Sequence, residues 1–89
     1  MLGSIEFKKI SEEFIKNYIN EHLDKTDGKV EYDVYNVWYC KTLQNHKGLF
    51  STTLPDGMYY EVTFNGDKKE LYIDAYKKIE NRCIYLGEE

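Results

Sequence analysis

The chain has 89 residues, room for one domain around one core, and a formal charge of −4, which speaks against a protein that grips a nucleic-acid backbone through a cationic footprint. Two cysteines, Cys40 and Cys83, are too few for a disulfide framework, and no apolar run approaches the roughly 20 residues that span a bilayer. These features predict a single cytoplasmic domain over residues 1–89 with two reduced, largely buried thiols and no membrane association. Aromatic content is 16%, and nine of those residues are Tyr. A Tyr has an apolar body and a polar tip, so it suits half-buried positions and partner-facing surfaces.

The charge is uneven. Residues 1–33 hold eight acids and five bases, residues 61–89 hold seven and five, and residues 34–60 hold only Asp56, Lys41 and Lys47. The aromatic middle third is therefore almost uncharged between two acidic flanks.

In chain order, Phe14, Ile15, Tyr18, Ile19, His22 and Leu23 form an apolar stripe at helical spacing. A helix over about 10–24 is expected, with Ser11 as N-cap, Glu12 and Glu13 at the favourable end of the helix dipole, and Ile10 and Ile15 as a hydrophobic staple. Phe7, Ile10 and Phe14 would allow a start at Ser4, and Asp27-Gly28 offers a left-handed exit.

From about residue 33 to residue 86 the period changes to that of a sheet. Val34–Leu43 reads as a first strand, Gln44–Gly48 as a loop, Leu49–Leu54 as a second strand and Pro55-Asp56-Gly57 as a tight turn. Met58–Phe64 follows, with Tyr60, Val62 and Phe64 on one face; then come the hairpin signal Asn65-Gly66 and a fourth strand Glu70–Tyr76, with Leu71, Ile73 and Ala75 on one face. A turn near Lys77–Asn81 and a short fifth strand Arg82–Leu86 complete the expectation, with a terminal helix as the structural alternative. The fold class is α+β: an N-terminal amphipathic helix packed on one face of a four- to five-stranded antiparallel β-meander.

One helix covers one face of such a sheet, and the sequence holds no second layer. The set Asn36, Trp38, Cys40 and Thr42, with Tyr59, Glu61 and Thr63 and with Tyr72, Asp74 and Tyr76, is the candidate for the other face. Exposed aromatic patches mark partner surfaces, including those of homodimers. The candidate binding residues are Trp38, Tyr39, Lys41, Lys47, Tyr59, Tyr72 and Tyr76, with Tyr32 and Tyr35 either extending the patch or capping the sheet edge. Aromatic rings interleaved with Lys also fit the stacking of single-stranded bases, which stands as the alternative reading. Asp24, Asp27, Glu31 and Asp33 form an acidic edge without the ordered spacing of a calcium loop.

No catalytic set emerges. Cys40 with His46, read as a buried thiol and a loop imidazole, lacks an orienting third group and an oxyanion hole. His22, His46, Cys40 and Cys83 have no metal-ligand spacing. No phosphate-cradling loop is present, so neither metal nor cofactor is expected.

The run Val34-Tyr35-Asn36-Val37-Trp38-Tyr39-Cys40-Lys41-Thr42-Leu43-Gln44-Asn45 and the run Ser51-Thr52-Thr53-Leu54-Pro55-Asp56-Gly57-Met58-Tyr59-Tyr60-Glu61 continue into Asn65-Gly66-Asp67-Lys68 and Asp74-Ala75-Tyr76-Lys77-Lys78. Together they resemble a family of small uncharacterised proteins encoded by phages and prophages of Gram-positive bacteria. The resemblance covers most of the chain from the helix onward. Its motifs carry no catalytic role, so it assigns no functional residue. It implies a protein of the host bacterial cytoplasm that binds a host or phage protein, for instance to inhibit a host enzyme or defence system. The expectation is thus a non-enzymatic binding protein, a homodimer, with single-stranded nucleic-acid binding in phage replication or recombination as the alternative.

Overall fold

The computed structural model describes residues 2–22 and 31–87. Helix α1 spans Ser4–His22, and four strands follow: β1 Val34–Thr42, β2 Asn45–Thr52, β3 Met58–Asn65 and β4 Glu70–Lys77. They form one antiparallel sheet in the order β1-β2-β3-β4, a meander with α1 against one face. The α+β fold expected from the sequence is the one observed, with four strands.

The helix starts at the early end of the expected range. The Gly3 carbonyl accepts a hydrogen bond from the Phe7 amide at 2.9 Å, which closes the first turn. Ser11 is therefore no N-cap, and the Ile10–Ile15 staple that depended on it does not form. Ser11 sits in mid-helix, fully buried, and its Oγ has no hydrogen-bond partner among the described residues. The buried line is Phe7, Ser11, Ile15 and Ile19, four residues apart, which is the spacing of one helix ridge. Phe14, placed on the stripe from sequence, is half exposed. The expected exit at Asp27-Gly28 lies outside the described residues.

The core is Phe7, Ile15 and Ile19 from α1 against Phe50, Tyr60 and Val62 from the sheet, flanked by Tyr18, Val34, Phe64, Leu71 and Ile73. Tyr60, Val62 and Phe64 do share a face with Leu71, Ile73 and Ala75, and it is the helix-covered one.

The first hairpin corrects the sequence expectation. Residues 44–48 are not a loop: Thr42 pairs with Asn45, leaving a two-residue turn of Leu43 and Gln44, and β2 begins at Asn45. Leu43 takes a left-handed φ of 56°. His46, Lys47 and Gly48 look like loop residues but lie in a central strand. A Cβ on Gly48 would stand 3.0 Å from Phe50 Cε1 and 3.2 Å from Phe7 Cε2, so the missing side chain makes room for the two core rings.

The last hairpin also differs in detail. Asn65 pairs with Glu70, so the turn is the four residues Gly66 to Lys69, and Lys69 carries the positive φ of 55°. Asn65 Oδ1 accepts from the amides of Asp67 and Lys68 at 3.0 and 3.3 Å, a side-chain-closed turn rather than a two-residue one. Gly66 is needed for another reason. The two hairpin turns stack at one end of the sheet, and a Cβ there would collide with the Gln44 carbonyl oxygen.

Past β4 the Lys78 amide still pairs, with the Gly57 carbonyl at 2.8 Å. Residues 78–87 then run exposed and without regular structure, so neither the fifth strand Arg82–Leu86 nor a terminal helix is formed. The segment makes no further hydrogen bond to the sheet among the described residues, and it contains no turn that would bring it back.

Candidate binding face

Alternation along paired strands decides which side chains share the face away from α1. Register places them in cross-strand rows. Tyr35, Ser51, Tyr59 and Tyr76 form the first; Trp38, Leu49, Glu61 and Asp74 the second; Cys40, Lys47, Thr63 and Tyr72 the third. No element among the described residues covers this face.

Strand β1 reaches both Tyr35 and Trp38 on one face because of an irregularity. Between Asn36 and Trp38 the pairing slips by one residue, so Val37 is an extra residue with no partner on β2. Asn36, expected on the open face, instead shares the side of its partner Phe50. Its amide group donates to the carbonyls of Trp38 at 2.8 Å and Leu49 at 3.1 Å, which ties the bulge down. Tyr35, Trp38 and Tyr76 remain 48%, 43% and 53% exposed, so the face is aromatic and accessible. Trp38, Cys40, Thr42, Asn45, His46, Lys47 and Thr63 line a shallow, mostly apolar concavity of about 370 Å³, to which His46 belongs as a residue of β2 although its ring turns to the helix side.

Of the residues singled out from sequence, Trp38, Lys47, Tyr59, Tyr72 and Tyr76 come together on this face. Tyr39 and Lys41 do not, because they alternate to the helix side. The Tyr39 ring packs on Phe7 at 5.6 Å between centroids, Lys8 Nζ lies 5.1 Å above it, and its hydroxyl bonds to His46 Nδ1. Burial, and secondarily the neighbouring Cys40, raises its pKa above the ordinary 10.0. Tyr32 also belongs to the helix side, reaching Asn20 Oδ1 at 3.3 Å, whereas Tyr35 extends the open face.

The electrostatics of the face are mildly acidic. Its Lys47 pairs with Glu61 at 3.4 Å, both partly exposed, which leaves Asp74 and Glu70 uncompensated by any base in these rows. Such a pair contributes about 0–1 kcal/mol. The Tyr72 hydroxyl donates to Glu70 at 3.0 Å; that bond, the charge of Glu70 and some burial hold its phenol above 10.0. The base-stacking constellation of Trp38, Tyr39, Lys41 and Lys47 is thus divided between two faces of the sheet.

Cys40 and His46 are likewise on opposite faces. Both cysteines are exposed and unpaired, not buried as their number had suggested, because β1 is an edge strand and Cys83 lies in the projecting segment. His46 is buried in β2 rather than looped out. Its Nε2 donates to the Leu2 carbonyl at 2.9 Å and its ring stacks on Phe7 at 5.2 Å. Among the described residues no group of three or more His, Cys, Asp or Glu side chains is placed to hold a metal ion, and no helix is long and apolar enough to cross a membrane.

Glu31 and Asp33 of the acidic edge are exposed at the entrance to β1, where the Asp33 amide donates to Thr53 Oγ1 at 2.9 Å. Asp24 and Asp27 lie outside the described residues. The feature missed from sequence is the slip at Val37; it decides between the two places open to Tyr35, since strict alternation from Trp38 would put Tyr35 on the other side.

No curated protein and no solved structure matches the chain. A family model does match, over residues 8–86, which takes in α1 from its second turn, the whole sheet and the projecting segment through residue 86. The chain belongs to that family, the family of unknown function DUF6275.

Proposed function

We propose that the protein is a non-enzymatic accessory protein of the phage or prophage kind. It works in the host bacterial cytoplasm by binding a host or phage protein and occluding a surface of that protein. The observation that carries this reading is the uncovered sheet face, where Trp38 borders an apolar concavity while Tyr35, Tyr59, Tyr72 and Tyr76 lie in the adjoining rows. A small domain that leaves so many large rings in water has a use for them, and aromatic anchors beside a socket are the usual energetic centre of a protein interface.

The charge of the face favours a protein partner over single-stranded nucleic acid. Its one base within the rows is paired with Glu61, and Lys41 and Tyr39 point to the other side. Backbone phosphates need unpaired cations near the stacking rings.

The test is capture of partners by the tagged full-length chain from a Gram-positive host lysate, with and without nuclease, in parallel with Trp38→Ala. Trp38 lies outside the core, so the variant should fold. A specific protein retained through nuclease treatment and lost with Trp38→Ala is expected. Recovery of nucleic acid alone, or undiminished capture by the variant, would remove the face from consideration.

A further inference from the structure

The segment after β4 is itself an apolar arm. Ile79, Ile84, Tyr85 and Leu86 are 96%, 73%, 81% and 87% exposed, more than the large rings Tyr35, Trp38, Tyr72 and Tyr76 of the sheet face. Taking the open face as a protein-contact surface, as above, we infer that this arm is the docking segment for a second copy of the chain. Residues 79–86 lie across the Tyr35, Tyr59 and Tyr76 end of the other copy's face, and the exchange is reciprocal.

Four observations carry the inference. First, the arm is built to be buried and extended. Cys83-Ile84-Tyr85-Leu86 is a run of strand-favouring apolar residues, and it is unpaired. Second, it does not return to its own sheet. Residues 78–86 contain neither Gly nor Pro, none has a positive φ, and the Lys78–Gly57 bond directs the chain past the end of the sheet.

Third, position and charge match. The arm leaves β4 at Lys77, next to the Tyr59–Tyr76 pair, so a two-fold axis near that end sets each arm on the other copy's tyrosine row. Within the arm Arg82 pairs with Glu80 at 3.3 Å, and in the row beyond the tyrosines Glu61 pairs with Lys47, so the charges left to match are Lys78 at the base of the arm and Asp74 on the row. Fourth, the family match runs through residue 86, so the arm is part of what the family shares and not an appendage.

The arrangement leaves the Trp38 concavity, in the second and third rows, open on both copies. A dimer therefore presents two such sockets, and dimerisation and partner capture are separable.

The experiment is the mass of the full-length chain in solution by light scattering, with two variants whose changes lie on exposed side chains. One alters the arm, Ile84→Asp with Leu86→Asp; the other alters the row, Tyr35→Asp with Tyr76→Asp. The expected result is a dimer for the unaltered chain and at least tenfold weaker association for each variant alone. Mixing the two variants should restore dimers, since one intact arm then meets one intact row. A monomeric unaltered chain, which would leave the arm to its own face or to another protein, overturns the inference. So does an arm variant that stays dimeric, or a mixture that stays monomeric. None of these outcomes depends on whether Trp38→Ala abolishes partner capture, so the two readings fail independently.

Discussion

The Tyr39 hydroxyl is hydrogen-bonded to Nδ1 of His46, beneath the first turn of α1. The Leu2 carbonyl on the far side of the imidazole can only accept, so Nε2 carries a proton and Nδ1 of the neutral ring accepts from Tyr39. Removing the hydroxyl strands a buried acceptor. Tyr39→Phe should therefore lower unfolding stability by about 1–3 kcal/mol in urea titrations, although it deletes a single oxygen. A change within error would mean that water replaces the phenol.

At Gly48 the Phe7 ring of α1 packs directly over the backbone of β2. With Phe50 and Phe7 carbons 3.0 and 3.2 Å from the position of an added Cβ, Gly48→Ala should overpack the core. A loss of about 1–3 kcal/mol is expected. A loop at this position, as the composition suggests, would instead tolerate alanine, so the same denaturation measurement distinguishes a core strand from a loop.

Two substitutions should stabilise. Ser11→Ala removes a buried hydroxyl without a partner and replaces it with the best helix former; a gain of about 1 kcal/mol or more is expected. Leu43→Gly relieves a left-handed backbone at a side chain that is 81% exposed and contributes little packing, for about 1 kcal/mol. Thermal midpoints should rise in both. A fall for Ser11→Ala would show that the hydroxyl is satisfied in solution.

Alkali should unfold the protein through its buried phenols. Burial, then the charge of Asp56 and then the neighbouring Tyr18 and Tyr32, raise the pKa of Tyr60 above 10.0. Burial alone does the same to Tyr32. A phenol that ionises more readily when unfolded leaves stability intact below pH 10 and drains it as pH rises from there through the folded-state value. Tyr60→Phe should flatten that decline, read as stability against pH between about 9 and 11. An unchanged slope would assign the decline to other tyrosines.

The sequence carries the architecture clearly where periodicity is long. Tyr60, Val62 and Phe64 opposite Leu71, Ile73 and Ala75 define both the last hairpin and its inner face. It fails where a residue plays against type. His46, Lys47 and Gly48 read as a turn, because nothing local reveals that Phe7, some forty residues earlier, fills the space over Gly48. Ser11 reads as a cap because its burial is a tertiary fact. Half the candidate face was legible from alternation within β3 and β4. Tyr39 and Lys41 were misplaced because β1 carries large rings on both sides, and adjacency to Trp38 says nothing about side. Tyr35 was ambiguous because a one-residue slip leaves no mark in the composition.

That slip at Val37 also bears on what the sheet is protected from. β1 is an outer strand, and an arriving strand would need evenly spaced amides and carbonyls along it to continue the ladder. The unpaired residue breaks that spacing midway, while the other outer strand, β4, presents Glu70, Asp74 and Lys77. Edge-to-edge growth, which has no natural end and yields fibrils, is thereby discouraged at both margins. On the exchange inferred above, each arm covers one tyrosine row of the other copy, so assembly of that kind closes at two copies.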